Sequence, residues 1–236
     1  MIVGTCGFPK SRKEIYKSLD AVELQETFYN FPREERMKAL AEEAPPGFVF
    51  AVKVFQGLTH PAGSPTYRRT RGFSPGPGHG LLRPTRENLE LWDAFRRAVE
   101  PLRPRVYIFQ TPPSMGVELL REAVEFFRTI RGEGIFVWEP RGAIASIPNL
   151  DEILSEVGVS LVVDPLRKAV PRSPIYYFRL HGLGRGEVNY SYRYTDEDLA
   201  RLLEIVKKLE NPYVMFNNVY MFEDAVRFKK LLKVSF

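Results

Sequence analysis

Eight short apolar runs alternate with stretches of helical period, and this alternation governs what the chain can fold into. The runs are IVGTCGF from Ile2, AVELQETF from Ala21, FVFAVKVF from Phe48, VYIFQT from Val106, GIFVWE from Gly134, SLVVD from Ser160, IYYFRLHG from Ile175 and YVMFNN from Tyr213. Each is short and rich in Val, Ile, Phe and Tyr, as strands covered on both faces are. Between them, residues 32–44 put Met37, Leu40 and Ala41 on one helical face. Residues 86–101 align Leu89, Trp92, Phe95 and Val99, and residues 117–130 align Leu120, Val124 and Phe127. Thr195 and Asp198 open a further helix in the manner of a capping box, ahead of Leu199, Leu202 and Val206. Segments 11–19, 147–157 and 221–232 complete the set, whereas the stretch after Asp164 is short, bounded by proline and unsuited to a helix.

Strand–helix alternation implies parallel strands joined by right-handed crossovers. Eight such units in 236 residues predict an α/β fold, a single (β/α)8 TIM barrel spanning residues 1–236. The rival is an open doubly wound sheet, but no GxGxxG follows the first strand. An irregular basic loop over residues 56–85 follows the third strand and is a candidate lid. It carries Arg68, Arg69, Arg71 and Arg83, with Tyr67 and Phe73 interleaved.

In a barrel the inward residues alternate, and enzymes built on this fold place their chemistry at the C-terminal ends of the strands. Polar residues gather there: Thr5; Glu23, Gln25 and Thr27; Lys53; Gln110; Glu139 and Arg141; Asp164; Arg179 and His181; Asn217 and Asn218. Within the second strand Glu23, Gln25 and Thr27 share one face, as do Arg179 and His181, and Glu139 and Arg141 if the fifth strand persists through Pro140. A network of structural ion pairs is the competing account, yet buried pairs rarely stabilise more than apolar packing does.

Lys53, Arg141 and Arg179 suit a phosphate or carboxylate, with Gln110, Thr27, Asn217 and Asn218 as further substrate contacts. After the seventh strand, Gly182 and Gly184 in GLGRG allow backbone N–H groups to approach an anion. Glu139, Asp164, Glu23 and His181 are the candidate acids, bases or metal ligands. A divalent ion, Mg2+ shared with a substrate phosphate or Zn2+, would draw on Glu23, Glu139, Asp164, His181 and His60. Only three histidines occur, and three nearby cations oppose a dication. No cofactor is implied otherwise.

These motifs also carry a likeness. GTCGF, VELQETFY, FVFAVK followed by LTH, FQTPPS, WEPR, YFRLHG and MFNN resemble, in order, the signatures of the YecE-like family, domain of unknown function 72. The resemblance runs from Gly4 to about Leu232. It implies a TIM barrel of unestablished activity, with a distant fold-level analogy to barrel endonucleases that act at abasic sites with metal ions. It marks Glu23, Thr27, Lys53, Gln110, Glu139, Arg141, Asp164, Arg179, His181, Asn217 and Asn218. Two departures stand out: Cys6-Gly7-Phe8 where the family often has Ser-Gly-Trp, and Gly142 where it often has a histidine.

The expected function is that of an enzyme, a hydrolase or lyase, acting on a phosphate-bearing anion or a nucleic acid at the C-terminal face. Alternatives are a non-catalytic anion- or partner-binding module and a Schiff-base lyase using Lys53. A net charge of +5 permits nucleic-acid binding without demanding it. One cysteine, no signal-like start and no run of the roughly 18 apolar residues of a membrane span point to a soluble, cytoplasmic protein. Scarce glutamine beside abundant Lys, Arg, Glu and Pro resembles proteins from hot environments.

Overall fold

The computed structural model describes residues 1–132, 134–184 and 186–234. Eight parallel strands form one sheet: β1 (Ile2–Cys6), β2 (Ala21–Leu24), β3 (Val49–Lys53), β4 (Val106–Gln110), β5 (Ile135–Glu139), β6 (Val159–Leu161), β7 (Tyr177–Leu180) and β8 (Tyr213–Phe216). The sheet order is β6-β5-β4-β3-β2-β1-β8-β7. Its two edges meet through the single parallel bridge Val163–Phe178, giving a nearly closed barrel. The predicted barrel is therefore observed, with its weakest seam between β6 and β7.

Eight helices accompany the strands among the described residues: α1 (Arg12–Ser18), α2 (Glu26–Tyr29), α3 (Glu34–Glu43), α4 (Arg86–Val99), α5 (Leu120–Thr129), α6 (Leu150–Ser155), α7 (Asp196–Val206) and α8 (Met221–Val234). The expected cap of α7 forms: Asp198 N donates to Thr195 Oγ1 at 3.1 Å, and Thr195 N donates to Asp198 Oδ2 at 3.0 Å. Among the described residues no helix joins β6 to β7, where Pro165, Pro171 and Pro174 interrupt the backbone N–H ladder. Among the described residues no helix is long and apolar enough to cross a membrane.

Side-chain alternation divides each strand between two environments. Phe50 and Val52 of β3, Phe136 and Trp138 of β5, and Tyr107 and Phe109 of β4 pack outward with the helix residues Trp92, Phe95 and Phe127. Ala21, Ala51, Ile108, Val137, Tyr177 and Met215 form the cluster that fills the barrel axis. A Cβ on Gly4 would lie 2.4 Å from the Ala21 carbonyl oxygen and 2.8 Å from Met215 Cε, so only glycine fits there. Two residues beyond these axial positions the inward chemistry changes: Ala21 gives way to Glu23, Ala51 to Lys53, Ile108 to Gln110, Val137 to Glu139 and Tyr177 to Arg179. One end of the barrel is thus apolar and the other ionic.

The 56–85 loop is irregular but fastened. Its only regular pieces are 3-10 turns at Gln56–Leu58 and Pro65–Arg69. Tyr67 donates its hydroxyl to the carbonyls of Gln56 and His60, both at 3.1 Å. Buried Asn88 of α4 accepts from Gly80 N at 2.9 Å and donates to the Gly80 and Arg83 carbonyls. Arg83 caps the Pro77 and His79 carbonyls, and Arg69 stacks 3.7 Å over the Tyr29 ring. Arg68 and Arg71 are exposed, and the Arg71 backbone N–H donates to Asn30 Oδ1 at 3.1 Å.

Candidate active site at the C-terminal face

Arg179 stands at the centre of the ionic end, almost wholly buried. Its Nη2 donates to Glu23 Oε1 at 2.9 Å and its Nη1 to Glu139 Oε2. Gln25 donates to Glu23 Oε1, and the Tyr177 hydroxyl to Glu23 Oε2 at 2.9 Å. Gln110 donates to Glu139 Oε2 at 2.8 Å and Arg141 to Glu139 Oε1 at 3.0 Å. Every carboxylate oxygen of Glu23 and Glu139 therefore has a donor. Burial alone would raise the acid pKa of Glu139, but the surrounding positive charges, Arg179 first among them, together outweigh it and hold the carboxyl well below the usual range. Burial likewise pushes the Cys6 thiol up, which makes it a poor nucleophile.

Lys53, the last residue of β3, is buried beside this cluster. Its ammonium lies 4.0 Å from the centre of the Phe28 ring, a cation–π contact, and no hydrogen bond to it is found among the described residues. Burial and the charge of Arg179 lower its pKa to about 7. His60 packs edge-on against the same Phe28 ring and is pulled down to about 3, first by burial and then by Lys53.

The groups around Asp164 differ. Its Oδ1 accepts from Leu166 N at 2.9 Å, while its buried Oδ2 has no hydrogen-bond donor among the described residues and sits 3.9 Å from Arg167 Nε. Burial raises its pKa to about 6, against the opposing backbone bonds and Arg167. His181 is neutral, lowered to about 3 chiefly by burial, and its Nε2 lies 3.4 Å from Arg141 Nη2 and 3.6 Å from Glu139 Oε1. Asp164, His181, Arg141, Glu139, Arg167 and Lys168 line one cavity of about 430 Å³ with an apolar wall that includes Val162 and Val163.

The structure brings together Glu23, Lys53, Gln110, Glu139, Arg141, Asp164, Arg179 and His181, as strand alternation predicts. Other expected contacts are engaged elsewhere. β2 stops at Leu24, so Thr27 falls in α2 rather than on the face of Glu23, and its hydroxyl donates to the Leu24 and Lys53 carbonyls. Asn218 donates to the Tyr192 carbonyl and to Asp224 Oδ2 and ties α8 to the loop before α7. Asn217 is half-buried, with its backbone N–H on the Leu180 carbonyl. Gly182 N–H donates to the Tyr194 hydroxyl at 2.8 Å, and Arg167 braces the Gly182 and Gly186 carbonyls, so this glycine run is a pinned turn rather than an open anion cradle. A Cβ at Gly182 would lie 2.0 Å from the Asn189 carbonyl oxygen, and Gly184 also has positive φ. Arg185 lies outside the described residues.

Among the described residues no group of three or more His, Cys, Asp or Glu side chains is placed to hold a metal ion. Glu23 and Glu139 are saturated by Arg179, Arg141 and neutral donors, which accounts for this in terms of the side chains themselves. Residues absent from the sequence reading are Arg167, Lys168, Glu187 and Tyr190. The signal for Tyr190 was an exposed aromatic within a turn-rich stretch after the glycines, VNYSY.

A TIM barrel with its ionisable strand ends gathered at one face is the class of protein that fold and site define. The model of the family described as protein of unknown function DUF72 matches residues 10–235, and the chain belongs to that family. A DUF72 family protein from Enterococcus faecalis V583 is 22% identical, with a TM-score of 0.75, over 98% of this chain and 97% of that one. Another, from Thermotoga maritima MSB8, is 23% identical at 0.67, over 98% of each chain. A xylose isomerase domain containing protein from Salmonella typhimurium LT2 shares the fold at a TM-score of 0.56 and 11% identity, over 96% of this chain and 92% of that one. No curated protein matches the sequence.

Proposed function

We propose that this protein is an enzyme that moves protons on a small phosphate-bearing anion in the cavity beside Asp164. The observation that carries the reading is the buried, donor-free Oδ2 of Asp164 in the wall of a cavity shared with Arg141, Lys168 and His181. Keeping such an acid unsatisfied costs stability, and groups of this kind concentrate where catalysis needs them. With a pKa near 6, Asp164 exchanges protons close to neutrality. Arg141 seats the anion in place of Arg179: both pair with carboxylates, but Arg179 is fully buried between Glu23 and Glu139, whereas Arg141 is partly exposed and lines the cavity. Neutral His181 presents its Nε2 toward Arg141, next to that seat, as the second acid–base group. Glu139 fixes Arg141 and Arg179 in place.

Incubation with a panel of sugar phosphates, nucleotides and a short DNA, read by phosphorus NMR and mass spectrometry, tests this. Turnover is expected for the wild type, with a loss of about 10²-fold or more in Asp164→Asn. Equal turnover by both proteins, or stoichiometric depletion without turnover, would replace the enzyme by another site or by a binding module.

Lys53 supports a second reading, because a buried amine with a pKa of about 7 and no hydrogen bond is suited to Schiff-base formation. Borohydride trapping of glyceraldehyde 3-phosphate on Lys53, read by peptide mass, checks it; an unmodified Lys53 rules it out.

A further inference from the structure

A second cavity, of about 630 Å³, also has Arg141 in its wall. It is walled by Pro61 and Pro65 of the 56–85 loop, by Pro112 and Pro113 after β4, and by Tyr190. The two cavities have Arg141 and Glu187 in common. Between these two residues runs a weak ion pair, Arg141 Nη1 to Glu187 Oε2 at 3.5 Å, with the Glu187 side chain 63% exposed. Tyr190 is 48% exposed although its ring packs edge-on to His181 at 6.0 Å, and its carbonyl accepts from Val219 N at 2.7 Å. An aromatic face held from behind and flanked by proline rings is a platform for a planar ring.

We propose that the two cavities form one channel for a nucleotide-class ligand, with the phosphate on Arg141 at the junction and the base against Tyr190 and the Pro112–Pro113 wall. The assignment rests on the phosphate-seating role of Arg141 and adds to it the ring and the direction in which the ligand extends. The reacting portion lies on the Asp164 side and the base on the Tyr190 side. Glu187 is the internal occupant of the phosphate seat: its carboxylate reaches Arg141 from an exposed loop and leaves when the ligand arrives.

Equilibrium binding at low salt, using AMP, inorganic phosphate and adenosine as probes, tests the assignment. AMP is expected to bind more tightly than either fragment. Tyr190→Ala is expected to weaken AMP about tenfold more than it weakens phosphate, the size of one lost base–aromatic stack. Glu187→Gln is expected to tighten both AMP and phosphate about two- to fivefold, the yield of removing one exposed competing charge. A structural role for the Arg141–Glu187 pair would give the opposite sign, so weaker binding by Glu187→Gln overturns the proposal. Phosphate binding with no gain for AMP, or equal losses in Tyr190→Ala, overturns the ring assignment while leaving the anion site intact. A protein that binds neither AMP nor phosphate overturns both readings together. A single-stranded oligodeoxynucleotide separates the sources: tighter binding than AMP assigns the channel to a strand, weaker binding to a free nucleotide.

Discussion

Around Arg179 every nearby carboxylate oxygen has a donor, whereas Asp164, in the same barrel mouth, keeps one buried oxygen with none. In the first group the two acids are closed off by a guanidinium, two amides and a phenol, and only Arg179 Nε is left without an acceptor among the described residues. In the second, Asp164 lines a cavity and its buried Oδ2 has no hydrogen-bond donor among the described residues. Both are buried, so burial alone does not separate scaffold from chemistry. What separates them is whether the partners are already supplied by the chain.

The contrast is broken most severely at Arg179. Replacing it by methionine leaves Glu23 and Glu139 buried without their cation, and a loss of about 3–5 kcal/mol in urea unfolding is expected. A loss below about 1 kcal/mol would mean that the closed cluster is not one electrostatic unit. Asp164→Asn should act in the opposite direction. An acid whose pKa is raised on folding, here from 3.8 to about 6, draws protons into the native state. Its cost is absent below about pH 4, grows as pH rises to about 6 and is constant above. Asp164→Asn is therefore expected to gain on the order of 2 kcal/mol at pH 7.5 and little at pH 4, read as the difference in unfolding midpoint. A variant no more stable at pH 7.5 than the wild type would close the open group.

Lys53 sharpens the comparison from the side of the cations, since burial and Arg179 lower its pKa even against the pull of Glu23 and Glu139. Its pKa is lower folded than unfolded, so the unfolded chain binds more protons between about pH 7 and 10. Lys53→Met is expected to stabilise by on the order of 3 kcal/mol at pH 7, falling below about 1 kcal/mol at pH 10. A constant difference across that range would remove the titration from the account. The smallest effect belongs to the surface pair Arg86–Glu90, which spans 2.6 Å with both side chains largely exposed. Arg86→Ala should leave the unfolding midpoint unchanged, since solvent screens such pairs.

The barrel was legible because strand runs and helical stripes each have their own period, and the absent helix after β6 followed from three prolines. The ionic end was legible for the same reason: Glu23, Lys53, Glu139 and Arg179 lie two residues beyond apolar inward positions. Which cation meets which acid was legible only for Glu139 and Arg141, two residues apart in the chain. Arg179 joins Glu23 across 156 residues and Glu139 across 40, and alternation assigns a face but not a partner. Thr27 was misplaced because β2 ends three residues before it, where α2 begins its turn. Glu187 and Tyr190 were missed because they belong to a loop, whose path periodicity does not describe.

The single bridge between Val163 and Phe178 leaves the barrel with one poorly laced edge, and Asp164 and His181 stand on its two sides. Amide protons flanking that gap should exchange into heavy water sooner than those between β3 and β4, whose register runs through Ala51, Val52 and Lys53. A guest that touches both Asp164 and His181 would then act as a missing rung, and filling the site would tighten the whole cylinder.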